Sequence, residues 1–426
     1  MTSIIDESPH FYENLPLFYN ITTMKKLFSI AAALAIALPV WAEEPETNVT
    51  NANETSSAIT SEDEPSGFFT SMLNDAIENT MDPQGPGPRR GHRHPGGPAP
   101  KEDEPHYGRT VTGFASAPKF GGYYIGRYSY SDQEGSHGGA GFNQRLIRAY
   151  VDGSIFKDFK YRIQVQVNNA SFHMKDVFIE WGRYSFFKIK VGQYKRAFGF
   201  ENPMNPWDIT AGDYSLFTKA LTGHDDYVKK AAGVASDSDG GRDQGVQIQG
   251  DFGKMKGGYD LIHYQIGLWN GQGINVSDAD GKKDLIGTIQ VQPIKNLFIG
   301  FFGWHGDYVY NGDEHSKNRY AFGLKYDNKG WTLRGEWGHG QSDLGKADAW
   351  YVIGGMPVND WWKIAAEYQC YRLGKEWGRS QNMYSFISNF QLHKNLMFQI
   401  QYNYNNKRAA ADPDYNEIWG EFYFRF

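Results

Sequence analysis

From about residue 109 to its last residue the chain is written in segments of roughly ten residues, most of them alternating in polarity and each closed by turn-forming residues. Strict alternation means a strand with two unlike faces. In FKYRIQVQVNN, Tyr161, Ile163, Val165 and Val167 oppose Lys160, Arg162, Gln164, Gln166 and Asn168. In NLMFQIQYNYN, Leu396, Phe398, Ile400, Tyr402 and Tyr404 oppose Gln399, Gln401 and Asn403. RYAFGLKYD and GWTLRGEWG follow the same rule. About ten residues is what a tilted strand needs to cross a bilayer. Sixteen segments are expected, near 121–131, 143–153, 159–168, 173–181, 186–193, 242–253, 257–269, 282–292, 296–304, 317–326, 331–338, 347–356, 361–371, 381–391, 395–404 and 416–426.

The connections separate a membrane barrel from a soluble sandwich. Short ones (SIFKD, GRYS, KMK, PIKN, DNKG, PVND, HKN) alternate with longer ones such as NGQGINVSDADG, HGDYVYNGDEHS and NNKRAAADPDY. Outer-membrane barrels have an even strand count, tight periplasmic turns and longer external loops. Lipid admits only closed barrels among β-structures, because no strand edge may stay unpaired. The expected fold is therefore all-β: a sixteen-stranded antiparallel transmembrane β-barrel over residues 109–426. Its final strand, NEIWGEFYFRF, ends in phenylalanine and looks like the signal read by the barrel-assembly machinery.

Composition agrees. The 426 residues include 49 Gly, 27 Tyr, 28 Phe and 12 Trp, and a mean hydropathy of −0.60 excludes a helical membrane protein. A net charge of −6 argues against a nucleic-acid binder, and the single Cys370 excludes an intrachain disulfide. Met24-Lys25-Lys26 followed by LFSIAAALAIALPVWA reads as a signal peptide cut after Ala42, with residues 1–23 an upstream extension. Residues 43–108 are polar and rich in Pro and Gly, a composition that buries no core, and read as a disordered linker. The destination is the outer membrane, with its lipid as partner.

In such a barrel the apolar face meets lipid and the polar face lines the lumen. A Lys or Arg facing lipid at mid-depth costs roughly 2–4 kcal/mol. The cations Arg127, Arg148, Lys160, Arg162, Lys188, Lys190 and Arg334 are therefore expected to line a pore, with Arg319 and Lys325 facing inward as well. Asp152, Asp176, Glu180, Glu336, Glu367 and Glu421 should join them inside. Trp181, Trp269, Trp304, Trp361 and Trp419 lie near strand ends and are expected in interfacial girdles. Sixteen strands leave a water-filled channel, where about eight would be packed shut.

With both termini periplasmic, the stretch from about residue 194 to 241 is the third external loop and by far the longest, opening on Lys195 and Arg196. A connection of this length is normally functional. Three ordered blocks lead into it: LIRAYVDGSIFKDFKYRIQVQ, MKDVFIEW and FKIKVGQYKRAFGFENP, over residues 146–203. Together they resemble the phosphate-selective porins O and P, including their Bacteroidetes-type relatives. The resemblance implies an outer-membrane porin, a homotrimer, and small polar or anionic solutes such as phosphate. In that family an arginine ladder and a lysine cluster draw phosphate; the resemblance does not carry those residues over one by one. No cofactor, metal site or enzyme activity is expected. A barrel enzyme would need a nucleophile, a base and an orienting acid together, and no compact signature surrounds His263, His305, His339 or Ser342. A non-conducting structural or adhesive barrel is the other alternative.

Overall fold

The computed structural model describes residues 114–134, 139–168, 171–234 and 240–426. The expected signal peptide and linker, residues 1–42 and 43–108, lie outside the described residues. Eighteen strands are described: β1 (Phe114–Ser131), β2 (Ala140–Ile155), β3 (Phe159–Asn168), β4 (Ser171–Trp181), β5 (Lys188–Lys195), β6 (Arg242–Lys254), β7 (Asp260–Trp269), β8 (Asp284–Ile294), β9 (Leu297–His305), β10 (Asp307–Tyr310), β11 (Asp313–Ser316), β12 (Asn318–Asn328), β13 (Trp331–Ser342), β14 (Gly345–Pro357), β15 (Trp362–Leu373), β16 (Ser380–His393), β17 (Leu396–Lys407) and β18 (Asp414–Arg425). Apart from β10 and β11, the strands pair in chain order, β9 with β12 across them, and β1 pairs with β18 to close an antiparallel barrel of sixteen strands. The sixteen expected segments each correspond to one barrel strand.

Alternation sorts the faces as expected. Val191, Val246, Ile266, Ile289, Phe301, Phe386, Ile400 and Phe422 are exposed on the outer wall, while Gln399, Gln401, Asn403 and Glu421 are fully buried inside. Phe426 closes the seam by exchanging backbone hydrogen bonds with Gly122, at 3.1 Å in each direction.

Three expectations need correction. The connection between β13 and β14 is a two-residue turn, Asp343-Leu344, although it lies at the end that carries the long loops. Both strands simply run on, pairing as far as Ser342 with Gly345. HGDYVYNGDEHS is not all loop: β10 and β11 form a hairpin within it. And Trp269, Trp304 and Trp419 are not girdle residues. They are 0%, 3% and 8% exposed and face inward, Trp269 against Tyr194, Trp304 donating to Asp284 and Trp419 under Arg127. Aromatic type and position near a strand end suggested a girdle, but strand parity decides the face. Trp361 is 52% exposed and packs with Phe390 on the outer wall.

Candidate functional site: the lumen and its infolded segment

Residues 196–234 and 240–241, within the expected third external loop, fold into the barrel. Two short helices stiffen the segment. Ser215 caps α1 (Leu216–Thr222) by accepting from the Thr218 amide, and Asp226 caps α2 (Tyr227–Ala231) by accepting from the Val228 amide. Phe198, Phe200, Phe217, Leu221, Tyr227 and Val228 form a buried core with inward residues of the wall. That wall makes room by using small side chains, Ala321, Ala347, Ala349 and Ala365, where a lumen would otherwise carry long polar ones.

Polar tethers complete the seat, and they come mostly from β12 to β18. Glu336 accepts from the Phe200 amide at 2.6 Å, the Glu201 amide at 3.0 Å and the Tyr351 hydroxyl at 2.8 Å. Arg319 donates to the Leu221 carbonyl at 2.6 Å and to Asp226 at 2.8 Å. Gln401 accepts from the Gly212 amide at 2.7 Å, and Gln369 accepts from the Leu216 amide at 2.8 Å. Asn389 and Gln399 both donate to the Thr210 carbonyl. The approach is close enough to demand glycine. A Cβ on Gly212 would stand 2.7 Å from Glu421 Oε2, and one on Gly199 (φ +80°) 2.9 Å from Glu336 Oε2.

The opposite wall, β1 to β6, is cationic and mostly not used as a seat. Lys119, Lys160, Arg162 and Lys190 border a cavity of about 450 Å³ with Asp152, Glu180 and Phe178. Arg162 forks onto Asp152 through two bonds of 2.7 Å. Lys190 is 3.4 Å from Glu180 and lies over the rings of Phe178 and Tyr194. Lys188 pairs with Asp251 at 2.7 Å. Nearer the segment, Arg148 donates to Gln166 and to the Tyr123 hydroxyl, both at 2.9 Å, and Arg242 forks onto Asp176. Lys195 donates to the Tyr214 hydroxyl at 2.6 Å and to the Met204 carbonyl. The cations here outnumber the carboxylates that face them.

Nine of the expected cations therefore separate by partner. Lys160, Arg162, Lys188 and Lys190 stand on the open side. Arg148 and Lys195 sit where that side meets the segment. Arg127, Arg196 and Arg334 are bound into the packing. Arg127 donates to Glu421 and to the Gly212 carbonyl, both at 2.8 Å; Arg196 lies 3.5 Å from Asp243 and over Trp304. Arg334 is 1% exposed and 3.5 Å from Asp327.

Sequence reading missed Arg145 and Arg242. Parity with Arg148 would send Arg145 outward. A bulge between the Ile125 and Gly126 pairings turns it in, 3.2 Å from Asp213 and 3.5 Å from Glu421. Arg242 opens β6, where no preceding alternation fixes its face. On the segment itself, burial opposes ionisation of Asp213, but Lys219, Arg145 and Arg127 outweigh it and hold the carboxyl well below the usual range. Burial keeps the His224 imidazole far below its ordinary pKa, with Lys195 and Arg242 adding to the effect.

No family model and no curated protein matches the chain. Solved structures do match in fold. An anion-selective porin from Comamonas acidovorans is 12% identical, with a TM-score of 0.57, covering 73% of this chain and 99% of its own. The outer-membrane channel DcaP of Acinetobacter baumannii is 10% identical, with a TM-score of 0.54, covering 72% of this chain and 97% of its own. The trimer form of OmpT, an outer-membrane protein of Vibrio cholerae, is 12% identical, with a TM-score of 0.50, over 73% of this chain and 99% of its own. This chain has the fold of the outer-membrane porins.

Proposed function

We propose that the chain forms an outer-membrane pore through which small anions diffuse, phosphate among them. The observation that carries this reading is the asymmetry of the lumen. The wall from β12 to β18 spends most of its inward residues on gripping the infolded segment, with a cavity of about 720 Å³ left at its short-turn end beside Lys363 and Asp208, while the cations of β1 to β6 border a cavity of about 450 Å³ and hold little of the segment. Rings and ladders of Lys and Arg favour anions in pores. One neighbour in fold is described as an anion-selective porin, which supports the same preference. The sequence blocks over residues 146–203 support membership of the phosphate-selective O and P group.

In this reading Lys160, Arg162, Lys188 and Lys190 collect anions at the short-turn end, which is the periplasmic one. Arg148 and Lys195 stand where the passage meets the segment, with Arg242 packed behind them on Asp176, and the segment sets the width. Arg127 and Arg334 act as anchors. A solute exchanges water for guanidinium and ammonium donors, and the neighbouring carboxylates Asp152 and Glu180 keep binding weak enough for release. The mature protein starts at Glu43 after export, is inserted by the barrel-assembly machinery and works as a homotrimer, a state supported by the fold neighbour described in trimer form.

The test is conductance of the purified full-length protein in a planar bilayer, with the zero-current potential read in a salt gradient of chloride and then of phosphate. Anion selectivity, stronger for phosphate, is expected. A barrel that inserts without conducting contradicts the pore, and a cation-selective pore contradicts the anion reading.

A further inference from the structure

At the long-loop end, the outer wall changes character between β14 and β17. Gln369 and Tyr351 face inward, since the first accepts from the Leu216 amide and the second donates to Glu336. Alternation then places Trp350, Asp348 and Arg372 on the outer face. Arg372 donates to Asp348 at 3.0 Å, and His339 lies 2.6 Å from the other carboxylate oxygen. Trp377, from the connection 374–379, folds down over them. The Arg372 guanidinium lies 4.5 Å from the Trp377 ring centroid and 5.4 Å from that of Trp350. Charges on a lipid-facing wall are tolerated toward the interfaces rather than at the midplane, and tryptophan concentrates at that boundary. This level therefore meets headgroups.

Two donors in this cluster have no acceptor in the protein: Arg372 Nε and Trp350 Nε1 are both buried and unpartnered. Around them stand the exposed cations Lys346, Lys375, Arg379 and Arg408. Backbone bonds hold these together. The Gly374 amide donates to the Lys346 carbonyl at 2.8 Å, which sets Lys375 beside Lys346, and the Arg408 amide donates to the Ser380 carbonyl at 3.1 Å, next to Arg379. Arg408 Nη1 also donates to the Trp377 carbonyl at 3.3 Å. Glu376 and, in the β13–β14 turn, Asp343 are the exposed acids near them, Asp343 being bonded to His315 and to the Ser316 amide, whereas Asp348 is already engaged by Arg372 and His339. The adjoining rim over β17, β18 and β1 is acidic, with Asp132, Asp412 and Asp414, so the positive charge is local.

We propose that this rim binds the phosphate of a glycolipid headgroup in the outer leaflet. A clustered set of Lys and Arg at a membrane surface selects anionic headgroups, and Arg pairs with phosphate through two parallel bonds. The unpartnered donors lie enclosed beneath Trp377, so the headgroup phosphate is gathered by the exposed cations around them, Lys346, Lys375, Arg379 and Arg408, which stand at the level of the bilayer boundary. A free anion in transit through the lumen does not visit this face.

The experiment uses the full chain, folded in detergent, incubated with diphosphoryl lipid A or with the same lipid enzymatically dephosphorylated, and reads lipid retained per barrel by native mass spectrometry. Retention of the diphosphoryl form is expected, with loss of the dephosphorylated one. Lys346→Gln with Lys375→Gln and Arg379→Gln should weaken retention by on the order of a hundredfold, from three surface cations. Single-channel conductance of that variant should be unchanged, which reports folding separately and keeps this test independent of the pore reading. Should the triple variant not fold, Lys375→Gln on its exposed turn should still weaken retention several-fold. Equal retention of the dephosphorylated lipid, or no effect of the substitutions, would each overturn the proposal.

Discussion

The two walls of this lumen are built from one alternation rule and do opposite jobs. From β12 to β18 the inward positions combine small residues with carboxylates, amides and the cations Arg319, Arg334 and Lys363, and several of them are spent on backbone groups of the infolded segment. Glu336, Gln369, Gln401, Asn389 and Gln399 each bond a main-chain atom of the segment. From β1 to β6 the inward positions are long cations whose partners are wall carboxylates such as Asp152, Glu180 and Asp251, and they border open volume. An infolded segment needs a wall that satisfies its orphan backbone groups, because a buried unpaired amide or carbonyl costs about as much as a lost hydrogen bond. Charge left over on the other wall is then free to act on solutes.

The comparison can be broken most severely at Arg319. Arg319→Ala leaves Asp226 buried without its partner, and breaking a buried pair costs about 3–5 kcal/mol. The segment should detach at α1 and α2, seen as rapid proteolytic cleavage within residues 196–241 while the barrel stays intact. Glu336→Gln comes next. It keeps the shape but removes the charge-assisted bonds to the Phe200 and Glu201 amides, each worth about 1.5–3 kcal/mol. Larger and noisier single-channel conductance is expected, with little change in ion preference. The smallest effect is expected on the open wall. Lys188→Gln removes a partly exposed pair with Asp251, worth about 0–1 kcal/mol, so thermal stability should hardly move while the anion preference falls slightly.

Acid should not free the Asp213 tether early. Its carboxyl is held below the ordinary value, so the stability it contributes is present above the unfolded pKa and lost only as pH falls through the lower folded one. Protease resistance of the segment near Asp213 should persist below about pH 4, the ordinary carboxylate range.

Much of the fold was legible because the lipid bilayer enforces a simple code. Period two, ten-residue segments and sorted loops suffice for sixteen strands, as Tyr161 to Val167 and Leu396 to Tyr404 illustrate. What the code does not carry is anything that departs from period two or depends on contacts across the lumen. Arg145 was hidden by a bulge. Trp269, Trp304 and Trp419 were misassigned because residue type was weighted over parity. The separation of Arg127 and Arg334 from Lys160 and Lys190 depends on where the segment 196–241 lies, and all four look alike in a strand pattern.

The central claim is that solutes pass along the cationic wall and not through the seat of the segment. The most direct measurement is the zero-current potential in a salt gradient for the native pore and for Lys160→Glu with Lys190→Glu, an exposed and a largely buried position that hold no part of the segment. An anion-selective native pore whose preference moves clearly toward cations in the variant, at similar conductance, is the predicted result. An unchanged potential in the variant would contradict the account, because the permeating ions would then be passing elsewhere in the lumen.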